Sequence, residues 1–243
     1  MLSKEPRLKG DDSKAWVAQQ KLKIAIDGPA GAGKSTVAQL VAREVGYLYI
    51  DTGAMYRAAT LLVLRAKIPL DHQKAMTELI QRSVIELQQA DPHSPEKIHV
   101  LLNNEDVSAQ IRSREVTAAV SAVSSVMLVR ELLVDKQRKM AEPGAVILDG
   151  RDIGTVVMPD ADMKIFLTAS PQVRAQRRYD ELVAIGENVD YDTILHEIVE
   201  RDRKDTNRAI APLRQAQDAV MILSDNMTIS QVVITIIKLC DKR

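Results

Sequence analysis

Apolar residues follow two rhythms along this chain. Five short runs, at 23–27, 47–51, 145–149, 163–168 and 219–224, are rich in Ile, Val, Leu, Ala, Met and Tyr, the pattern of strands covered on both faces in a parallel sheet. Between them, 52–66, 113–140, 171–185, 191–203 and 228–239 carry apolar residues three and four apart and predict helices. The last of these opens with Thr228 and Gln231, spaced as a capping box. Alternation of strand and helix calls for an α/β fold, a five-stranded parallel sheet flanked by helices, whose ligands sit at the carboxyl ends of the strands. Asp27, Asp51, Asp149, Thr168 and Ser224 stand at those ends. Residues 69–106 break the rhythm. There 83–87 and 97–102 alternate like exposed strands and Asn103-Asn104 offers a turn before Asp106, so a small, partly antiparallel insertion is expected.

Composition narrows the class. A chain of 243 residues suits one α/β domain with an insertion better than two separate domains. Lys plus Arg and Asp plus Glu both number 33 and aromatic residues make up 3%, which leaves neither a basic face nor a stacking platform for nucleic acid. The single cysteine, Cys240, excludes an intrachain disulfide framework, and no apolar run is long enough to span a bilayer. A cytoplasmic monomer without nucleic-acid or membrane partners is expected. Residues 1–20 are charged and polar and read as a flexible or loosely docked extension, with Trp16 and Val17 available to pin it. His72, His93, His99 and His196 lack metal-ligand spacing.

The sharpest chemical signal lies directly after the first predicted strand. Gly28-Pro29-Ala30-Gly31-Ala32-Gly33-Lys34-Ser35-Thr36 is a G-x-x-x-x-G-K-S phosphate loop, followed by Val37, Leu40, Val41 and Val45 at helical spacing. Glycines let backbone N–H groups converge on an anion, the helix start adds its positive dipole end, Lys34 supplies a cation, and the Ser35 hydroxyl suits Mg²⁺. These parts fit a nucleoside triphosphate.

Three further clusters follow. DTGAMYR at 51–57 puts a carboxylate, a hydroxyl, a phenol and a guanidinium at a strand end and helix start, where a second anion could be gripped; alone, it would equally suit an ordinary helix cap. DGRDIGT at 149–155 ends a buried strand in a carboxylate beside the phosphate loop, a common way to orient Mg²⁺ and its waters. ERDRKDTNR at 200–208 follows an amphipathic helix. Its arginines could reach over a transferring phosphoryl group, although a charge run alone is usually a solvated face.

In this order the phosphate loop, DTGAMYR, DGRDIGT and RDRKDTNR closely resemble the bacterial cytidylate kinases, from about Lys23 onward. The resemblance implies transfer of the γ-phosphoryl of ATP to CMP or dCMP with Mg²⁺, on a P-loop nucleoside monophosphate kinase core at 21–68, 109–170 and 209–243. It further implies a substrate-binding insertion at 69–108 and a helical lid at 171–208. By that resemblance Gly28 to Thr36 hold the ATP phosphates and Lys34 bridges toward the transferred group. Thr52, Tyr56 and Arg57 line the monophosphate site, while Arg151 and Arg201 clamp its phosphate. Ser121, Arg130 and Asp152 read cytosine, and Asp205 and Arg208 hold the sugar. Lys34, Arg151, Arg201 and Arg208 are thus the catalytic group, and Ser35 with Asp149 is the Mg²⁺ pair, directly or through water. Ser35 stands where some members have Gly, and Thr52 where some have Ser.

The chemistry suits the assignment. The cytosine amino group donates and wants a carboxylate, whereas uracil presents an acceptor there. No protein nucleophile is required, because the substrate phosphate attacks directly. A GTPase is disfavoured by the lack of an Asn-Lys-x-Asp guanine reader. A nucleotide sensor without turnover, and a kinase for UMP or AMP, remain open at this stage.

Overall fold

The computed structural model describes residues 10–89 and 98–242. Five parallel strands form the central sheet: β1 (Lys23–Asp27), β2 (Leu48–Asp51), β6 (Val146–Gly150), β7 (Met163–Thr168) and β8 (Val220–Leu223), in the order β2-β6-β1-β7-β8. All five expected runs are strands, with ends moved by a residue or so. Successive side chains alternate between the faces. Ile24, Ile26, Ile147 and Ile165 enter one core with α2 (Lys34–Val45) and α9 (Ile229–Cys240), while Ala25, Leu148 and Ile50 enter the other beneath α3 (Thr52–Arg65) and α6 (Met127–Ala141). Both faces are dry over the inner strands β1, β6 and β7, whereas the edge strand β8 leaves Val220, Met221 and Leu223 exposed. The capping box of α9 is formed, with the Gln231 side chain accepting from the Thr228 N–H at 2.8 Å and the Thr228 hydroxyl accepting from the Gln231 N–H at 3.2 Å.

The insertion contains an antiparallel sheet of β3 (Ile85–Gln89), β4 (Ile98–Leu102) and β5 (Glu105–Asp106). Asn103 and Asn104, at φ 50° and 69°, make the expected turn, since asparagine tolerates the left-handed region. Positions 90–97 of the insertion, His93 among them, lie outside the described residues, as do residues 1–9 of the expected extension. Helix α4 (Gln73–Gln81), which buries Met76 and Ile80 four apart, has too short an apolar stripe to stand out in the sequence. A hairpin of α7 (Pro171–Ala184) and α8 (Tyr191–Thr206) closes on a small core of its own around Ala175, Ile194 and Ile198.

Two expectations need correction. The helix read as continuous over 113–140 is broken into α5 (Arg114–Ser124) and α6, whose axes differ by 98°. The hydroxyls of Ser124 and Ser125 donate back to the carbonyls of Ser121 and Ala122, at 3.2 and 2.7 Å, offering the chain a local alternative to continued helix. Val126 then buries in an extended conformation before α6 begins. Secondly, Gly10–Gln20 of the extension form helix α1, which is docked rather than loose. Val17 is fully buried, and the Ser13 hydroxyl donates to Asp241 beyond α9 at 2.8 Å.

Tyr47 is the clasp. Its hydroxyl donates to the Val17 carbonyl at 2.5 Å and accepts from the Leu22 N–H at 2.8 Å, so it joins α1 to the entrance of β1. Tyr47→Phe leaves both backbone groups short of a partner and should cost about 1–3 kcal/mol, read as a drop of several degrees in the thermal midpoint. An unchanged midpoint would show that α1 docks without this bond.

Candidate active site

The phosphate loop joins β1 to α2. Gly28 leaves β1 at φ 150°, and a Cβ there would fall 1.9 Å from the Leu167 carbonyl oxygen, so β7 packs against the loop too closely for any side chain. Gly33 caps α2 in the left-handed region, at φ 85°, where a Cβ would be strained. Lys34 is buried and its ammonium donates to the Pro29 carbonyl at 2.7 Å. The lysine thus closes its own loop, and the helix start opens toward solvent at the exposed Ser35.

Asp149, at the end of β6, is the hub. Its carboxylate accepts from the Ser35 hydroxyl and from the Tyr49 hydroxyl, both at 2.8 Å, while its carbonyl accepts from the Thr52 hydroxyl at 2.7 Å. Burial, with Asp51 adding, pushes the Asp149 carboxyl up to about 6; Lys34 opposes the shift. Asp51 itself caps α3 by accepting from the Ala54 N–H at 2.8 Å. Asp27 accepts from the N–H groups of Ile153 and Gly154, both at 2.7 Å. These bonds seat a π-helical turn, Ile153–Val157, just past Arg151 and Asp152. Single π-turns of this kind recur at functional sites, and no pattern of apolar residues announces them.

Around this hub the positive charges converge. Arg151 donates to Asp205 at 2.8 Å, and Arg208 donates to the other oxygen of the same carboxylate at 2.7 Å. Burial works upward on Asp205, yet Arg151, Arg208 and Arg201 hold it below the usual carboxylate range. Arg201 is half-buried and makes no hydrogen bond or ion pair among the described residues. Burial and the neighbouring Arg151 push it down to about 10. Arg57 donates to the Ile111 carbonyl at 3.2 Å and the Thr117 hydroxyl at 2.9 Å. Burial lowers it too, while Asp51 works in the opposite direction.

A buried polar corner adjoins the cluster. Arg130 and Asp152, 4% and 5% exposed, are ion-paired, and the Arg130 guanidinium lies 5.5 Å from the centre of the Tyr56 ring. The Tyr56 hydroxyl is buried without a hydrogen-bond partner among the described residues, and burial raises it to about 12. A native protein rarely leaves such a group unpaired, so this hydroxyl points to a ligand or water. The structure therefore brings together Lys34, Ser35, Thr52, Tyr56, Arg57, Arg130, Asp149, Arg151, Asp152, Arg201, Asp205 and Arg208. Ser121 stands apart in character. Its side chain is exposed on α5, and only its carbonyl is engaged, by the Ser124 hydroxyl. No group of three or more His, Cys, Asp or Glu residues able to hold a metal ion occurs among the described residues.

The family model and the relatives similar in sequence agree on one family. The family model described as cytidylate kinase matches residues 24–242. Similar proteins named cytidylate kinase include that of Desulforamulus reducens, 52% identical over 219 residues (90% of this chain and 96% of the relative). Others come from Bacillus velezensis, 46% identical over 224 residues (92% and 98%), and Mycobacterium leprae, 50% identical over 221 residues (90% and 96%). Among solved structures, an uncharacterized protein from Eubacterium ventriosum shares the fold at 15% identity with a TM-score of 0.50, covering 92% of this chain and 100% of that one.

The state of Lys34 is itself testable. Burial pushes its ammonium down to about 7, with Arg151 adding to the effect and Asp149 opposing it. Phosphate oxygens at the ammonium favour the charged form, so binding takes up a proton, and affinity declines as pH rises above about 7. At pH 8 phosphates are already ionised. Calorimetry of ATP binding in buffers of different ionisation enthalpy should then report uptake of roughly one proton per site, lost in Lys34→Met. Binding without uptake would overturn the assignment.

Proposed function

The chain belongs to the cytidylate kinase family, and from that premise we propose that it transfers the γ-phosphoryl of ATP directly to CMP and dCMP, yielding ADP with CDP or dCDP. The observation that carries the reading is the meeting of a lysine-bearing phosphate loop with a second cluster of guanidinium groups, Arg57, Arg151, Arg201 and Arg208, beside the buried corner of Tyr56, Arg130 and Asp152. One anion site and one further anion site with a polar pocket next to it describe a donor and a monophosphate acceptor.

Each role follows from position and charge. The backbone N–H groups of Gly28 and of Ala30 to Thr36 cradle the β- and γ-phosphates, while Pro29, which has no N–H, shapes the loop. Thr52 and Arg57 line the acceptor phosphate; Arg151 and Arg201 draw its charge toward the donor. An acceptor oxygen then attacks the γ-phosphorus as the bond to the β–γ bridging oxygen breaks, and Lys34, Arg151, Arg201 and Arg208 neutralise the charge that spreads over the transferred group. Ser35 and Asp149, hard oxygen donors 2.8 Å apart, would hold Mg²⁺, which would supply further charge neutralisation. Asp205 and Arg208 face the sugar. Asp152 and Arg130 take the base, with Tyr56 beside them; the exposed Ser121 is left out of this role. Among the described residues no single helix is long and apolar enough to cross a membrane; a cytoplasmic, monomeric enzyme with small-molecule partners is part of the proposal.

A coupled ADP assay across nucleoside monophosphates tests the reading: CMP and dCMP should be turned over far faster than UMP, AMP or GMP. Comparable rates on AMP or GMP would sink it. Asp152→Asn offers a donor to uracil O4 and should lower the ratio of kcat/KM for CMP over UMP by about 1–3 kcal/mol. A folded variant with the parental ratio would move base recognition away from this carboxylate.

A further inference from the structure

Arg174 is a fully buried arginine that the scheme above leaves unused. It sits on the first turn of α7 and is 2% exposed, where burial of an unpaired guanidinium would be prohibitive. Its partners come from three different segments. Nε donates to the Ala169 carbonyl at 2.9 Å, at the end of β7. One terminal nitrogen donates to the Ala30 carbonyl at 2.9 Å and to Asp202 at 3.1 Å, and the other donates to Asp202 at 2.5 Å. Its stem lies under the phosphate loop, because a Cβ on Gly31 would meet the Arg174 Cβ at 3.4 Å and Cγ at 3.8 Å.

Two adjacent loop carbonyls are thereby taken by cations, that of Pro29 by Lys34 and that of Ala30 by Arg174. At the other end, Asp202 follows Arg201 on α8, and Asp205 stands one turn further along. Asp202 ties this helix to Arg174, and Asp205 ties it to Arg151. Arg201 has no hydrogen bond or ion pair of its own among the described residues, so the place of its guanidinium is set by where α8 is held. We infer that Arg174 is a positioning residue that braces the phosphate loop and, through Asp202, registers the lid helix so that Arg201 faces the loop. A fork of fixed geometry suits this task better than a lysine, which presents a single point of charge.

The kinetic part of this inference rests on the kinase reading; the binding part does not. Arg174→Met, Asp202→Asn and the double variant are compared with the parent by ATP affinity from calorimetry and by kcat at saturating ATP and CMP. Arg174→Met should weaken ATP binding and lower kcat, each by roughly tenfold. Asp202→Asn keeps the side-chain shape, so it should lower kcat by a similar factor while ATP affinity stays within about twofold. The double variant should turn over no more slowly than about the worse single one, because both act through one contact. Parental kcat in a folded Asp202→Asn protein, or losses that multiply in the double variant, would overturn the registering role. Parental ATP affinity in Arg174→Met would overturn the bracing role, and Asp202→Asn carries the test should Arg174→Met not fold. A parent inactive on CMP would instead overturn the kinase reading, with the ATP affinities still deciding whether Arg174 braces the loop.

Discussion

The carboxylate of Asp149 holds the site together. It ends the strand that lies between β1 and β2, and parallel register puts Ile26 and Asp51 directly beside it. Its two oxygens take Ser35 at the start of α2 and Tyr49 on β2, and its carbonyl takes Thr52 at the start of α3. Two helix starts and two strand ends are thus fixed by one residue. The same register sets Asp51 beside the buried Asp149, and the cation of Lys34, with the hydroxyls of Tyr49 and Ser35, offsets the repulsion. Phosphate loop, acceptor side and sheet are consequently one electrostatic unit, not a loop added to a scaffold.

That unit is left incomplete. Lys34 is pushed down to about 7 and Arg201 to about 10, each by burial first and by Arg151 next. Cations facing cations in a partly dry cleft oppose one another until an anion arrives. In the proposed reaction, substrate phosphates would relieve this opposition, most where charge spreads over the transferring group.

Much of this was legible in the residues, for identifiable reasons. The inner strands β1, β6 and β7 are covered on both faces and so appear as apolar runs, while the edge strand β8 is apolar although Val220, Met221 and Leu223 are exposed; the phosphate loop is legible because only glycine fits where Leu167 crowds the backbone. The break between α5 and α6 was hidden because Ser124, Ser125 and Val126 keep an acceptable helical spacing while their hydroxyls work against the helix. The π-turn at Ile153 depends on Asp27, over a hundred residues away along the chain, and Arg174 depends on Ala30 and Asp202. Long-range bonds to backbone groups leave no local mark. Ser121 and Arg130 illustrate the limit, for one helical pattern contained both, yet the first is exposed and the second buried against Asp152.

The corner of Arg130, Asp152 and Tyr56 shows how a base can be chosen at modest cost. A buried carboxylate alone would be protonated or would destabilise the fold, and burial does raise Asp152, with Arg130 pulling it back. Pairing with Arg130 opposes that rise, and the ring of Tyr56 lies close to the guanidinium. In the proposed assignment the cytosine amino group donates to a carboxylate that Arg130 already holds in place, so little rearrangement is needed. Uracil would set its carbonyl oxygen against that carboxylate, and relief would require Asp152 to take up a proton or to swing away from Arg130. Either path breaks the ion pair in a nearly dry site, where an uncompensated charge is most costly. Discrimination then comes less from what cytosine gains than from what the wrong base would leave unpaired.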